Sequence, residues 1–263
     1  MKNHKDSQDK IIKQLVDFIR EEVEKSKTNG LVCGLSGGID SAVIAYLSIR
    51  AIGNEKVSLF HLPEDELEIV HTEDAKLIAK ELNTELKIIN ITPMLKEIIK
   101  IIPEIGKNLL AKGNLKARIR GVILYSIANI ENKLVIGTSN KSELSIGYGT
   151  KYGDLAADFF PLGDIYKTRV FEIAKCLEIN QRIITKAPTA GLWVNQTDEE
   201  EIGVSYEKLD SFLRGYELKQ GEEVLAKELI LNPDQIKKIK ELMKNSQHKR
   251  EMPKIYRREE GNL

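Results

Sequence analysis

One stretch, Gly34-Leu35-Ser36-Gly37-Gly38-Ile39-Asp40-Ser41, has the residue types and spacing to do chemistry. Glycine lacks a Cβ, so the backbone there can take positive φ and approach an anion closely. Ser36 and Ser41 add hydroxyl donors. A helix that starts after such a turn presents unpaired N–H groups and a partial positive charge. Together these features make a phosphate cradle. Two common glycine loops are excluded. A Walker A loop needs G-x-x-x-x-G-K-[ST], and no lysine stands at the required place. A dinucleotide fingerprint needs G-x-G-x-x-G, which glycines at 34, 37 and 38 do not satisfy. The plain alternative is a turn with Ser41 capping a helix.

The elements around the turn have a repeating rhythm. Residues 31–35, LVCGL, form a short apolar run bounded by turn residues, which predicts a buried strand. AVIAYLSIRA after the turn predicts a helix ended by Gly53-Asn54. Strands are then expected at 57–62, 85–91 and 134–137. Thr72, Glu73 and Asp74 open a helix through Leu82, with acids well placed at its start. Residues 94–112 are helical with breaks at Pro103 and Gly106, and Asn114 is expected to cap a helix through Asn129. Ahead of everything, Ile11, Ile12, Leu15, Val16, Ile19 and Val23 mark an amphipathic helix over 8–25. Functional loops are expected after 137, helices at 167–178, 205–215 and 234–244, and a loop over 187–200. The charged tail 249–263 is expected to be mobile. Alternating strands and helices imply an α/β fold: a doubly wound parallel sheet flanked by helices, in one domain over 1–263. Strand 31–35 should lie centrally, with ligands at the carboxyl ends of the strands near a switch point.

Composition narrows the function classes. Lys plus Arg and Asp plus Glu are 40 each, so no global basic field favours bulk nucleic-acid binding. The two cysteines, Cys33 and Cys176, make no secreted-type disulfide framework. The hydrophilic N-terminus lacks a signal-peptide core, and no run approaches the roughly 18 apolar residues of a membrane span. A cytoplasmic protein with no nucleic-acid or membrane partner is the expectation.

The S-G-G-x-D-S turn resembles the pyrophosphate loop of N-type ATP pyrophosphatases, the adenine nucleotide α-hydrolase-like (Rossmann-like) group. Further segments narrow the resemblance to the NAD synthetases that use ammonia: GTSNKSELSIGYGTKYGD (137–154), Asp158, PLGDIYK ending at Lys167, APTAGLW (187–193), NQTDEEEIGVSY (195–206) and His248-Lys249. Their order and spacing match from about residue 30 to residue 253. The resemblance implies that residues 34–41, Thr138, Lys167 and Thr189 contact ATP. It implies Asp40 and Glu143 as Mg²⁺ ligands. Arg118, Arg120, Lys151, Asp158, His248 and Lys249 would contact deamido-NAD (nicotinic acid adenine dinucleotide). The family often has Asp where this chain has Gly191.

The implied reaction has two steps. The nicotinate carboxylate attacks the α phosphate of ATP, giving an acyl adenylate and pyrophosphate. Ammonia then displaces AMP to give NAD. Lys167 and Mg²⁺ would stabilise charge on the phosphates, and Asp154 or Asp158 would bind ammonium and help it lose a proton. Glutamine-using relatives carry a glutaminase domain ahead of this one. Only about 30 residues precede the loop strand here, so ammonia is the expected donor, with room left for a separate glutaminase subunit. A homodimer is expected, with helices 8–25 and 115–129 supplying part of its interface. The alternatives are a tRNA-modifying ATP pyrophosphatase, for which Cys33 and Cys176 are poorly placed, and a non-catalytic nucleotide-binding module. Taken singly, each lysine, arginine and acid named above also fits a solvated surface or a helix end.

Overall fold

The computed structural model describes residues 2–65, 69–189, 191–193 and 197–257. Residues 66–68 of the expected adenine-side loop, Ala190, Asn195, Gln196 and 258–263 of the tail lie outside the described residues. Four parallel strands, β1 (Leu31–Gly34), β2 (Val57–His61), β3 (Leu86–Ile88) and β4 (Leu134–Ile136), are ordered β3-β2-β1-β4. In register, Leu31 pairs with Val57 on one side and Leu134 on the other. The strand at 31–35 is therefore interior, as its unbroken apolar run predicts.

Alternation along β1 splits the core in two. Leu31 and Cys33 face a layer made by α1 (Lys2–Ser26), α2 (Ile39–Ile52), α3 (Ile69–Glu81) and, later in the chain, a helix at Lys167–Cys176. Val32 faces the opposite layer, α4 (Thr92–Ile101), α5 (Pro103–Lys107) and α6 (Leu109–Glu131). The chain winds from β1 to β3 in one direction, then returns across α4–α6 to β4 on the far side of β1. The switch point lies between β1 and β4, at whose carboxyl ends the phosphate turn and Gly137 begin.

The remaining helices are α7 (Lys141–Ile146), α8 (Lys167–Cys176), α9 (Gln181–Ile184), α10 (Asp198–Ile202), α11 (Tyr206–Glu217), α12 (Glu222–Glu228), α13 (Pro233–Asn245) and α14 (Gln247–Arg250). Helices α10 to α13 build a third apolar cluster with Ile146 and Tyr166, which seats this lobe on α7 and α8. Two predicted helix starts are corrected. Helix α3 begins at Ile69, ahead of Thr72, so Glu73 and Asp74 lie inside it. Asn108, not Asn114, caps α6: its Oδ1 accepts the Ala111 amide at 2.9 Å. Asn114 lies inside that helix and accepts the Thr150 hydroxyl at 2.8 Å. Helix α1 runs longer than expected, and its apolar stripe (Ile12, Leu15, Ile19, Val23) is already buried against the chain's own core.

Candidate functional site

The turn after β1 is preshaped by its own hydroxyls. Ser36 and Ser41 hydroxyls lie 3.0 Å apart, the Gly38 amide donates to Ser36 Oγ at 3.2 Å, and Ser41 Oγ donates to the Gly38 carbonyl at 2.9 Å. Gly37 has φ +83°, and a Cβ there would lie 2.5 Å from the His71 carbonyl oxygen. Only glycine fits both the dihedral and the space. Leu35 stays in the ladder through its amide to Phe60 O at 2.7 Å, while the buried His61 places Nδ1 2.9 Å from the Leu35 carbonyl. Ile39 and Asp40 open α2, so the turn sits at a helix N-terminus of four turns' length.

Beside it, four polar side chains converge. Lys167, at the start of α8, is 2% exposed. Its ammonium lies 2.5 Å from Asp40 Oδ2 and 3.5 Å from Glu143 Oε1. Asn140 donates to Asp40 Oδ1 at 2.9 Å and caps α7 through the Glu143 amide, while Glu143 returns a bond to the Asn140 amide. This capping box fixes Glu143 toward Lys167 rather than toward solvent. Burial and the Asp40 carboxylate push the Glu143 carboxyl up to about 8, and Lys167 pulls the other way. Burial works against the Lys167 ammonium, but Asp40 and Glu143 outweigh it and hold its pKa above the ordinary lysine value.

A third carboxylate stands behind this group and carries no predicted role. Asp198 is 3% exposed, accepts the Tyr206 hydroxyl at 3.0 Å, and keeps Oδ1 without a hydrogen-bond partner. Burial raises its pKa against the pull of Lys167. The Tyr206 ring lies 5.2 Å under the Lys167 ammonium, a cation–π contact. Asp198 heads the acid run 198–201, and in sequence that run reads as a helix start facing water. Burial alone separates it from its neighbours.

The residues expected to hold deamido-NAD fall into two groups. Arg118 Nε donates to the Lys151 carbonyl at 3.3 Å, Lys151 Nζ to the His248 carbonyl at 2.5 Å, and Lys249 Nζ to the Gly147 and Gly149 carbonyls at 2.7 Å each. These four surround the loop 147–153. Asp154 closes that loop by accepting the Thr150 amide at 3.0 Å. Burial lowers the Lys249 pKa, with Asp154 opposing. Lys249 and Arg250, the first residues of the expected tail, are thus fastened to the chain; Arg250 also donates to Leu144 O and Ser145 O. The second group stands apart. Arg120 donates to Leu62 O at 2.9 Å, beyond β2, and Asp158 accepts the Val135 amide at 2.6 Å and Tyr125 Oη at 3.3 Å along the edge of β4.

Two loops complete the surroundings. Thr138 follows β4 and is half-buried. Thr189 Oγ1 accepts the Gly191 amide at 3.1 Å, and Gly191 takes φ +62°, a left-handed conformation that suits glycine. Leu192 and Trp193 lie against Gly113 of α6, where a Cβ would come 3.3 Å from Leu192 Cβ. Trp193 therefore packs on a helix. No group of three or more His, Cys, Asp or Glu side chains able to hold a metal occurs among the described residues. None of their helices is long and apolar enough to cross a membrane.

This geometry has close counterparts in known proteins. Residues 11–253 match the NAD synthase family. The NH3-dependent NAD(+) synthetase of Methanocaldococcus jannaschii is 44% identical over 250 residues, covering 94% of this chain and 96% of that one. Its namesake from Pyrococcus furiosus is 44% identical over 246 residues, 93% of each chain. Among solved structures, the NH3-dependent NAD synthetase of Campylobacter jejuni, in complex with nitrate, has a TM-score of 0.79 at 38% identity, covering 95% of this chain and 99% of that one. The NMN synthetase of Francisella tularensis has a TM-score of 0.85 at 34% identity, covering 95% and 98%. A match that spans nearly the whole of this chain and of its relatives settles the assignment: the chain belongs to the NAD synthase family.

Proposed function

We propose that the chain makes NAD by amidating deamido-NAD with ammonia, activating the nicotinate carboxylate with ATP and releasing pyrophosphate and AMP. The observation that carries this reading is the buried Lys167 ammonium shared by Asp40 and Glu143 beside the phosphate turn. A carboxylate is a poor acyl donor, and adenylation gives it a good leaving group. The chain's part is positioning and electrostatics. The turn amides and the Ser36 and Ser41 hydroxyls bind the phosphates that leave, and Lys167 offsets the charge that develops on them. Thr138 and Thr189 contact ATP from the two neighbouring loops.

The residues present fit a magnesium ion. Asp40 and Glu143 already converge on one cation, and magnesium typically takes one or two carboxylates together with substrate phosphates. Asp40 and Glu143 would hold it, and it would neutralise charge on the phosphates. Deamido-NAD is assigned to the side chains around the loop 147–153, Arg118, Lys151, His248 and Lys249, and to Arg120 and Asp158 in the separate group beyond β2 and along β4. Of the two candidate acids, Asp154 is the better one for ammonium. It accepts the Thr150 amide through Oδ1, whereas both oxygens of Asp158 already accept hydrogen bonds.

A homodimer is supported by exposed apolar side chains on one layer: Ile101, Ile102, Leu109, Leu110, Val122 and Ile130 on or beside α4–α6. Among the described side chains of α1, Phe18 is the large apolar one that is exposed. The C-terminal lobe supplies Asp198 and Tyr206 to the site, which supports one catalytic unit over the whole chain. Cys33 and Cys176 are both free thiols, in keeping with a cytoplasmic setting.

A second reading is favoured by the likeness to the NMN synthetase: nicotinic acid mononucleotide as the carboxylate that accepts the adenylyl group and passes its acyl group to ammonia. Product analysis separates the two. Pure protein is incubated with ATP, Mg²⁺, ammonium and either acid. Equal amounts of NAD, AMP and pyrophosphate from deamido-NAD establish the proposal. NMN formed faster than NAD transfers it to the mononucleotide. AMP and pyrophosphate without either amide remove both. Replacing ammonium with glutamine tests the nitrogen source.

A further inference from the structure

The site described so far leaves one buried charge cluster without a role. Asp74 of α3 is 0% exposed. Arg182 Nε lies 2.6 Å from its Oδ1 and Lys186 Nζ 2.6 Å from its Oδ2. Lys186 Nζ also stands 2.9 Å from His71 Nδ1. The bare Cα of Gly37 faces the same two α3 residues: a Cβ there would lie 2.5 Å from His71 O and 3.1 Å from Asp74 Cβ. Helix α3, the phosphate turn and the segment after α9 therefore meet at a single carboxylate. Two cations on that carboxylate leave net positive charge behind the turn.

We propose that Asp74, with Lys186 and Arg182, is a positioning clamp that sets Thr189 against the phosphate turn and so governs the affinity for ATP. The proposal rests on the ATP role assigned above to Thr189. Lys186 precedes Thr189 by three residues, so a pin there confines Thr189 to within roughly 11 Å of it, even fully extended. A second pin lies three residues beyond Thr189. Lys116 of α6, buried and ion-paired with the buried Glu64, donates to the Leu192 carbonyl at 2.8 Å. Thr189 is thus held from both sides by lysines whose partners are buried carboxylates. Such pairs resist breaking, because losing one partner leaves an uncompensated buried charge. Positioning contacts of this kind matter most where phosphates must be aligned, and a misplacement of about 1 Å costs up to about 100-fold.

A purely structural ion pair would move the melting temperature and leave ATP affinity alone. The experiment uses the full chain with Lys186→Met and Lys186→Arg, and reads ATP affinity by calorimetry as well as the two KM values and Tm. Lys186→Met is expected to weaken ATP about tenfold while the deamido-NAD KM stays within about twofold and Tm within a few degrees. Lys186→Arg is expected to restore ATP affinity. Unchanged ATP affinity in Lys186→Met overturns the clamp. So does a parallel fall of ATP affinity and Tm that arginine does not rescue. Asp74→Asn is a second variant with the same expected direction, and Lys186, one-fifth exposed, is the safer one to fold. Because calorimetry needs no turnover, failure of the clamp is distinguishable from failure of the proposed reaction, which shows as wild-type protein that binds ATP and makes no amide.

Discussion

Lys167→Met deletes the ammonium at the centre of the site and keeps most of the aliphatic stem. At an effective dielectric of about 20, the 2.5 Å contact with Asp40 is worth roughly 7 kcal/mol of gross attraction and the 3.5 Å contact with Glu143 roughly 5 kcal/mol. Desolvation of the ammonium offsets much of this, and broken buried pairs cost about 3–5 kcal/mol in practice. Two features reduce the figure here. The Asp40 and Glu143 side chains keep 17% and 15% exposure. Burial and Asp40 also favour the neutral form of Glu143, so it takes a proton more readily once its counter-charge is lost. A net loss of about 2–3 kcal/mol is expected, or roughly 5–10 °C in Tm for a chain of this size. The catalytic loss is larger, because one preorganised donor to a developing charge is worth about 100–1000-fold in kcat. Millimolar Mg²⁺ should raise the Tm of Lys167→Met more than that of wild type, since the two carboxylates then lack any other shared cation. The assay couples NAD formation to alcohol dehydrogenase, with Tm followed by fluorimetry in both magnesium conditions. A variant within about threefold of wild-type kcat would refute the role of Lys167 on the phosphates. Equal magnesium effects on both proteins would refute the shared cation position.

Gly37→Ala should abolish measurable ATP binding and lower Tm, because the new methyl meets the His71 carbonyl at 2.5 Å and the residue must hold φ +83°; wild-type affinity by calorimetry would show that the turn relaxes freely. Burial pushes the Cys33 thiol up to about 12 from an ordinary 9.0, so folding favours its protonated form and native stability contributed by it falls as pH rises above about 9. Maleimide at neutral pH should accordingly label Cys176 alone in the native chain and both thiols after unfolding; rapid double labelling of folded protein would contradict the burial of Cys33. Val122→Asp with Ile130→Asp puts two charges among the exposed apolar side chains of α6, at positions 66% and 84% exposed. It should yield monomers by light scattering with little loss of chain stability, and an undisturbed dimer would move the interface elsewhere.

The interior strand and the turn were legible because each has a local signature, an apolar run of fixed length and glycines at a strand end, while Glu143 and Lys167 were named only through a match in residue order to a family. The misplaced cap shows the limit. Asn108 and Asn114 are equally good caps by type, and Pro103 and Gly106 suggested a later start. Only the observed bond to the Ala111 amide selects Asn108. Arg118 and Arg120 show another limit. Two residues apart on a helix are about 200° apart around its axis, so one surface cannot take both heads directly. The two guanidinium groups reach Lys151 O and Leu62 O, on different loops. Asp74 and Asp198 were missed for a third reason. Both lie in acid-bearing stretches that read in sequence as solvated helix starts, and only tertiary packing buries them beside cations.

The site is also uneven in how finished it is. The Asp40–Lys167–Glu143 centre and the turn are held by bonds among their own side chains, with the turn at the N-terminus of α2. The cations of the deamido-NAD surface are instead bonded to the chain's own carbonyls: Lys151 to His248, Lys249 to Gly147 and Gly149, Arg118 to Lys151. For these three, a substrate phosphate or carboxylate replaces an ion–carbonyl bond with an ion pair, so each contact is an exchange. Lys249 has the most to exchange, with two carbonyl acceptors and a partly buried head, while Lys151 lies nearer the surface and can turn with less disturbance. Under the proposed assignment, ATP therefore meets a prepared site, and deamido-NAD meets one whose hydrogen bonds must be rearranged around the loop 147–153. That asymmetry follows from which side chains the fold buries against carboxylates and which it leaves to cap backbone carbonyls.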